Sequence, residues 1–308
     1  MDAKSRVGLI GLGNAGLALA QPLLKRFEVM GFDLDEGRRG IAGAAGVIVA
    51  DGAGPIADQC DVILLSLPTP AASRAAAQAL AQGNLRGRLL IETSTVAPQD
   101  IEWLVTFLAP HGAEVVDAAI VGGVQKLAEG RTTFLVGASE QNYPRAIAVL
   151  EAAAEEIFNL GGVGNGMRAK VINNAVAHTT MVMLLEGAAL ARKAGVPLEV
   201  FYTLMQRESG LTRPLTHRFG ERVRNGDFEG GMPTANARKD SFLALELARD
   251  LGVPLFTMQA SHTVYEVAHH EGLDRLDYAS ISRLWEKWLD IDMAYGRRDD
   301  NAQPTGKR

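Results

Sequence analysis

The first half of the chain alternates short, apolar, β-branched runs with longer segments of helical periodicity. Apolar strands that are separated by helices are typical of a mostly parallel sheet covered on both faces. The predicted strands are Arg6–Ile10, Glu28–Asp33, Asp61–Leu65, Arg88–Glu92, Glu114–Asp117, Thr133–Val136 and Ile157–Leu160. Between them, amphipathic alanine-rich segments such as Ser73–Ala81 and Tyr143–Glu155 are predicted to be helices.

From Gly164 onward the strand pattern ends and only helical periodicity remains. A long segment from about Met167 to Ala194 ends at Gly195 and Pro197, two residues that favour a helix stop followed by a new start. Further helices are predicted at Leu198–Arg207, Arg213–Arg224, Thr234–Leu251, Leu255–His270 and Tyr278–Asp290. The second half is therefore predicted to be all-helical.

Chain length supports a division into two domains, since 308 residues exceed the usual size of one. The pattern predicts an N-terminal domain over residues 1–163, a helical domain over 164–295 and a flexible polar tail over 296–308. The glycine-rich turn Gly161–Gly166 is the predicted hinge between the two domains.

Composition excludes several classes of protein. A net charge of −5 without basic clusters argues against nucleic acid as a partner. No apolar run is long enough for a membrane span, and a strand begins too early for a signal peptide to precede it. The single cysteine, Cys60, excludes an internal disulfide, and we expect a cytoplasmic protein.

A glycine-rich turn, GLGNAG, joins the first predicted strand to a helix-forming segment. In this pattern the first glycine allows a tight turn, the second allows a pyrophosphate to approach, and the third allows the helix to pack on the strand. The free N–H groups and positive dipole of the helix N-terminus favour phosphate binding. The predicted cofactor-binding residues of the turn are Gly11, Leu12, Gly13, Asn14, Ala15 and Gly16. The predicted fold class is α/β, with an N-terminal Rossmann-like doubly wound sheet followed by an all-helical second domain.

Asp33 ends the second predicted strand, where a carboxylate accepts hydrogen bonds from the ribose hydroxyls of a dinucleotide. An anionic side chain there repels a 2′-phosphate, so NAD is favoured over NADP. Arg38 and Arg39 follow on the next predicted helix and weaken this preference only slightly.

Lys170 and Asn174 are one helical turn apart at the start of the long predicted helix. Oxidation of an alcohol removes a hydride from carbon and a proton from oxygen, and a nicotinamide cofactor accepts only the hydride. A partly desolvated lysine has a lowered pKa and can transfer the proton. The order of the two elements therefore favours Lys170 as a general acid/base, with Asn174 on the same face.

Four further segments extend these two motifs into a family resemblance. They are SLPTP at Ser66–Pro70, ETSTVAP at Glu92–Pro98, DAAIVGG at Asp117–Gly123 and KVINN at Lys170–Asn174. With GLGNAG and the pair Lys239-Asp240, they make the chain resemble the β-hydroxyacid dehydrogenases over nearly its whole length. That family includes 3-hydroxyisobutyrate dehydrogenase, tartronate semialdehyde reductase and, more distantly, 6-phosphogluconate dehydrogenase.

The resemblance implies an NAD-dependent enzyme that acts on a small anionic β-hydroxy acid and needs no metal. It assigns the cofactor site to Leu67, Pro68, Thr95 and Lys239 besides the glycine turn. It assigns substrate binding to the backbone of Gly122 and Gly123 and to Asn174, and proton transfer to Lys170. Because the helical domains of this family usually pair, it also implies a homodimer or homotetramer.

Two positions depart from the family pattern. Val121 stands where relatives usually carry a serine that contacts the substrate carboxylate, so anchoring would depend on backbone groups or on side chains such as Arg213 or His178. Ala177 stands where the decarboxylating relatives have a glutamate, which argues against decarboxylation by that route.

Two alternative functions stay open. An imine reductase-like enzyme is the first, although the retained Lys170 argues against it. A cofactor-binding interaction module without turnover is the second, which the retained Thr95, Lys170, Asn174 and Lys239 disfavour.

Two groups of residues near the C-terminus are interpreted as structural rather than functional. His262, Glu266, His269 and His270 have a helical spacing that could bind a metal, but a solvated helix face is favoured. Trp285 and Trp288 are interpreted as core residues rather than as interface anchors.

Overall fold

A computed structural model describes residues 5–296 of the chain, which divides into two compact units, Met1–Val176 and Ala177–Arg308. This division falls inside one long helix, Asn165–Lys193, whereas the predicted domain boundary at 163/164 falls just before it. The assignment of residues 164–176 to the helical domain stays a prediction. Apart from Gly296, the predicted flexible tail lies outside the described residues.

Within the described residues, the N-terminal unit contains one sheet of eight strands in the order β3-β2-β1-β4-β5-β6-β7-β8. All neighbouring strands are parallel except β6 and β7, which are antiparallel. The strands are β1 Arg6–Ile10, β2 Glu28–Phe32, β3 Ile48–Val49, β4 Val62–Leu65, β5 Leu89–Glu92, β6 Glu114–Val121, β7 Thr132–Gly137 and β8 Ala154–Asn159. The doubly wound sheet predicted from the sequence is confirmed.

Helices cover both faces of this sheet, as the buried strands require. They are α1 Asn14–Leu24, α2 Glu36–Ala44, α3 Ala53–Gln59, α4 Pro70–Leu80, α5 Pro98–Leu108, α6 Gly123–Glu129, α7 Tyr143–Leu150 and α8 Asn165–Lys193. Successive strand residues face opposite sides, so Leu9 and Leu64 belong to one core with α1, α2, α6 and α7. Ile10 and Ile63 belong to a second core with α3, α4 and α5.

Three of the differences from the predicted elements have a clear physical cause. The two-residue strand β3 was not predicted, because a pair of residues is too short to show periodicity. The helix predicted to reach Glu155 ends at Leu150, since Ala154–Asn159 pairs with β7 instead. Strand β6 runs beyond Asp117, because Ala118 and Ala119 are fully buried in the sheet despite their low strand propensity.

The C-terminal unit is helical, as predicted. Its further helices are α9 Leu198–Gln206, two π-helical segments at Glu208–Thr212 and Pro214–Val223, α10 Thr234–Leu251, α11 Phe256–His270, a 3₁₀ turn at Tyr278–Ile281 and α12 Ser282–Leu289. Gly252, with a positive φ of 66°, ends α10 in the left-handed conformation that glycine favours. No helix in the described part of the chain is long and apolar enough to cross a membrane.

Two side-chain interpretations in this unit are wrong. Trp285 and Trp288 form an edge-to-face pair and are 38% and 53% exposed, so they are not core residues. Of the four residues interpreted as a solvated face, His262 is buried, with its Nδ1 2.8 Å from the Oγ of Ser241 on the neighbouring helix α10, whereas the other three are half-buried or exposed.

Candidate cofactor and substrate site

A cavity of about 800 Å³ lies within the N-terminal unit, bordered by the segments that follow five strands. The carboxyl ends of parallel strands meet at one edge of a sheet, where doubly wound folds bind their ligands. The segments that line it follow β1, β2, β4, β5 and β6. Eleven residues that were predicted as site residues line this cavity: Gly11, Gly13, Asn14, Ala15, Asp33, Leu67, Pro68, Thr95, Gly122, Gly123 and Lys170.

Glycine suits the three positions of the turn for different physical reasons. A Cβ on Gly11, whose φ is +94°, would lie 2.2 Å from the carbonyl oxygen of Ser66. A Cβ on Gly16 would lie 2.0 Å from the carbonyl oxygen of Gly11. Both glycines therefore allow α1 and β4 to pack closely on the turn. Leu12 and Gly16 are buried and support the turn without lining the cavity.

Gly13 differs, because a Cβ there would meet no atom of the described chain within 4 Å. The residue lines the cavity and caps α1 at its N-terminus without a side-chain hydrogen bond. The first N–H groups of α1 are thus available to an anion, and the missing side chain leaves room for it. These features fit the phosphates of a dinucleotide.

Asp33 lies at the end of β2 and lines the cavity beside Leu34. Its Oδ2 accepts a hydrogen bond from the backbone N–H of Leu12 at 2.7 Å, and its Oδ1 accepts one from Asp35 at 2.9 Å. Arg38 also lines the cavity, where its Nη1 donates to Oδ1 of Asn14 at 3.0 Å. Both a carboxylate and a guanidinium therefore border this end of the cavity.

The loops after β4 and β5 are joined by Ser94. Its Oγ accepts a hydrogen bond from the N–H of Leu67 at 2.8 Å, and its own N–H donates to Oε1 of Glu92 at 2.8 Å. Thr95, which follows, is exposed at the cavity. Glu92 and Ser94 together hold the two loops in place, a role that was not predicted from the motif in which they lie.

Glu92 is completely buried, and its Oε2 has no hydrogen-bond partner among the described residues. Burial raises the pKa of this carboxyl to about 7, while the hydrogen bond from Ser94 offsets part of the rise. A glutamate followed by Thr93 and Ser94 gives no sequence signal that distinguishes a buried acid from an exposed one.

Lys170 is half-buried on the first turns of α8 and lines the cavity. Burial lowers the pKa of its amine below the usual lysine value. A lysine with a lowered pKa exchanges a proton more readily near neutral pH than a solvated one does. Asn174 is half-buried one turn further along α8 and does not line the cavity.

Gly122 and Gly123 follow β6 with positive φ values of 128° and 81° and line the cavity. Such conformations favour glycine and leave the backbone uncovered. The preceding Val121 is half-buried and does not line the cavity, and its carbonyl oxygen accepts a hydrogen bond from Thr132 Oγ1 at 2.9 Å.

Lys239 belongs to the C-terminal unit, on α10. Its side chain is exposed, with Nζ 2.9 Å from Oδ1 of Asp240. Its contact with the cofactor stays a prediction, as do the individual roles of the other site residues.

Two family models together match nearly the whole chain. Residues 6–162 match the NAD binding domain of 6-phosphogluconate dehydrogenase, and residues 164–285 match a model described as NAD-binding of NADP-dependent 3-hydroxyisobutyrate dehydrogenase.

Individual relatives agree with these models. The chain is 28% identical to 2-(hydroxymethyl)glutarate dehydrogenase of Eubacterium barkeri, over 96% of this chain and 100% of the relative. It is also 28% identical to the mitochondrial 3-hydroxyisobutyrate dehydrogenase of Drosophila melanogaster, over 91% of this chain and 89% of the relative. The fold is similar to that of an imine reductase from a Pseudomonas species, with a TM-score of 0.82 and 22% identity over 92% of this chain and 99% of the other. The family predicted from the motifs is confirmed: the chain belongs to the β-hydroxyacid dehydrogenases.

Proposed function

We propose that this protein is an NAD-dependent dehydrogenase that interconverts a small β-hydroxy acid and its aldehyde or keto form. The main support is that Lys170 lines the same cavity as Gly13 and the glycine pair Gly122-Gly123. An amine, a dinucleotide-binding turn and an uncovered backbone segment are the groups that this reaction needs in one place.

The proton is transferred by the protein's own groups. When bound, the nicotinamide cofactor takes the hydride from the alcohol carbon or returns it to the carbonyl. The neutral amine of Lys170 accepts the hydroxyl proton in oxidation, and its ammonium form donates a proton to the carbonyl oxygen in reduction. Its half-buried position supports this role, because burial destabilises the charged form.

We propose NAD rather than NADP as the cofactor. The carboxylate of Asp33 lies where it would accept hydrogen bonds from ribose hydroxyls and repel a 2′-phosphate. Arg38 lines the same end of the cavity and is the group that would favour the opposite choice. Its guanidinium already donates a hydrogen bond to Oδ1 of Asn14 at 3.0 Å.

The substrate is proposed to be a small anionic hydroxy acid. The backbone N–H groups of Gly122 and Gly123 are the candidate donors to its carboxylate, and Asn174 is a candidate for orienting it. Because Val121 supplies no hydroxyl, we expect a substrate other than the smallest β-hydroxy acids. A cytoplasmic location is part of the proposal.

We also propose a homodimer or homotetramer. The C-terminal unit exposes many large apolar side chains, of which Phe256 is 75% exposed and Tyr202 63%. Others in the same unit are Met181, Val182, Leu185, Leu215, Leu243 and Leu247. Exposed apolar surface on this scale is typical of association between proteins. Light scattering after gel filtration measures the mass directly, and a monomer at micromolar concentration would contradict this part.

The catalytic proposal is tested by NADH and NADPH formation with a panel of hydroxy acids. The panel contains 3-hydroxyisobutyrate, glycerate and 2-(hydroxymethyl)glutarate, and we expect turnover of at least one with kcat/KM higher for NAD than for NADP. Reduction of 2-methyl-1-pyrroline without turnover of any hydroxy acid would favour the imine reductase alternative, for which the fold similarity is the supporting observation. Cofactor binding without turnover of either class would favour the non-catalytic module.

A further inference from the structure

Asp117 is the strongest feature of the N-terminal unit to which neither the motifs nor the comparisons assign a role. It lies in the middle of β6 and is completely buried. Its Oδ1 accepts a hydrogen bond from the N–H of Gly164 at 2.5 Å, and its Oδ2 accepts one from the N–H of Met167 at 2.7 Å. Both donors belong to the start of α8, so the carboxylate caps this helix from a strand about fifty residues earlier.

The surrounding glycines make room for this contact. A Cβ on Gly137, which pairs with Asp117 across the sheet, would lie 2.5 Å from its Oδ1. A Cβ on Gly166 would lie 2.8 Å from its Oδ2 and 2.3 Å from the carbonyl oxygen of Leu135. Any side chain at either position would therefore separate the helix start from the sheet.

The start of α8, whose N–H groups bind Asp117, immediately precedes Lys170. Met167, whose N–H is bound by Asp117, is completely buried in the second core, and Lys170 follows one turn later. Strand β6 also continues from Asp117 to Gly122 and Gly123 at the cavity. One buried carboxylate thus connects the strand that carries the candidate carboxylate-binding glycines to the helix that carries the candidate proton donor.

We infer that Asp117 is a positioning residue for the proposed reaction, which fixes Lys170 relative to Gly122 and Gly123. The inference rests on the proposed function, since it gives Lys170 a catalytic task. An anionic carboxylate suits this position, because both contacts are N–H donors at the positive end of a helix dipole. Burial nevertheless raises the pKa of Asp117 above its usual range.

The test is Asp117→Asn, which keeps the shape of the side chain. It places an NH₂ group against one of the two N–H donors, so that one hydrogen bond is lost. With the most active hydroxy acid of the panel, we expect kcat to fall at least tenfold while the dissociation constant of NADH is unchanged. The rising limb of the pH profile for oxidation, which follows the loss of the Lys170 proton, should move to higher pH, because a displaced Lys170 is more solvated. Should this variant fail to fold, Gly166→Ala displaces the same turn while retaining the carboxylate.

The matched control is Asp277→Asn in the C-terminal unit. Asp277 is also completely buried and accepts hydrogen bonds from two backbone N–H groups, those of Met232 at 3.1 Å and Ala279 at 3.0 Å. Asp277→Asn should lower the free energy of unfolding without shifting the pH profile of the oxidation rate. Equal losses of kcat in the two variants, or an unchanged kcat in Asp117→Asn, would overturn the inference. Normal turnover by Lys170→Ala would overturn the proposed function and the inference together, whereas a loss confined to Lys170→Ala would overturn the inference alone.

Discussion

The backbone N–H of Leu12 donates to the Asp33 carboxylate at 2.7 Å, which ties the glycine-rich turn after β1 to the end of β2. Asp33 therefore has a structural task besides its proposed contact with the ribose. An asparagine retains one acceptor oxygen for the Leu12 N–H, so that bond can survive removal of the charge, while the bond from the Asp35 N–H to Oδ1 is lost.

A change of cofactor preference follows from this geometry. The variant Asp33→Asn with Leu34→Arg removes the anion and adds a cation at a position that is 90% exposed beside the cavity. We expect the ratio of kcat/KM for NADP to that for NAD to rise at least tenfold, about 1.4 kcal/mol. Leu34→Arg alone serves as the control for the added charge. A wild-type protein that already prefers NADP would contradict the role of Asp33.

Gly13 gives a test of cofactor binding that leaves the fold unchanged. Because a Cβ on Gly13 meets no atom of the described chain within 4 Å, Gly13→Ala should change the free energy of unfolding by less than about 0.5 kcal/mol. The same methyl group lies where the phosphates would approach, so the dissociation constant of NADH, measured by fluorescence titration, should rise at least tenfold.

The control for Gly13→Ala is Gly40→Ala on α2. A Cβ on Gly40 also meets nothing within 4 Å, but the residue does not line the cavity. It should stabilise the helix by about 0.4–1 kcal/mol and leave NADH binding unchanged. Equal NADH dissociation constants in both variants would show that the phosphates do not bind beside Gly13.

The sequence predicted the features that depend on local pattern. Strand β1 and helix α10 begin and end as predicted, because the short apolar run of β1 and the proline and glycine at the ends of α10 are local signals. The order of the glycine turn, the strand ends and Lys170 predicted part of the cavity lining, whereas Leu12, Gly16, Val121 and Asn174 do not line it. These residues meet because parallel strands bring their carboxyl ends to one edge.

Contacts between distant residues could not be predicted in the same way. Nothing next to Asp117 in sequence indicates that it binds the N–H groups of Gly164 and Met167. The burial of Glu92 likewise depends on strands and helices packed around it. Trp285 and Trp288 were misassigned because aromatic periodicity on a helix is the same for a core face and an exposed face.

Lys170 is expected to carry the proton transfer. Lys170→Ala should lower kcat by about a hundredfold or more, the usual contribution of a general acid/base, without changing the NADH dissociation constant. In the wild type the oxidation rate should rise with pH as the amine loses its proton, with an apparent pKa below the ordinary lysine value of 10.5. Lys193→Ala, at the exposed end of the same helix, is the control and should have the kcat of the wild type. Near-normal turnover in Lys170→Ala would exclude the amine from the mechanism.

We expect Val121 to weaken the binding of the smallest hydroxy acids. A hydroxyl that donates to a carboxylate contributes about 1.5–3 kcal/mol, so wild-type activity on 3-hydroxyisobutyrate and glycerate should be weak. Val121→Ser should raise kcat/KM for both acids several fold. Val121→Ala removes the methyl groups without adding a hydroxyl, and it should give no such gain. Efficient wild-type turnover of 3-hydroxyisobutyrate, with no improvement in the serine variant, would make the substitution at this position neutral.

The buried carboxyl of Glu92 predicts a pH-dependent stability. Its pKa is about 7 in the folded protein, against a reference value of 4.5, so the folded state binds the proton more tightly than the unfolded state. The stability that this protonation provides is fully present below pH 4.5 and is lost as the pH rises to about 7. Glu92→Gln imitates the protonated form, and its NH₂ group faces the region of Ser73, whose Oγ has no partner among the described residues.

We therefore expect Glu92→Gln and the wild type to have similar free energies of unfolding near pH 4.5. At pH 8, urea denaturation should show the variant to be more stable by about 1–3 kcal/mol, since each unit of pKa difference corresponds to about 1.4 kcal/mol. Glu140→Gln changes an exposed carboxyl and should show no such trend. A stability difference between Glu92→Gln and the wild type that does not change with pH would mean that the pKa of Glu92 is not raised in the folded protein, so that the group is ionised at pH 8. The loops at Leu67 and Ser94 would then be held by an anion rather than by a neutral acid.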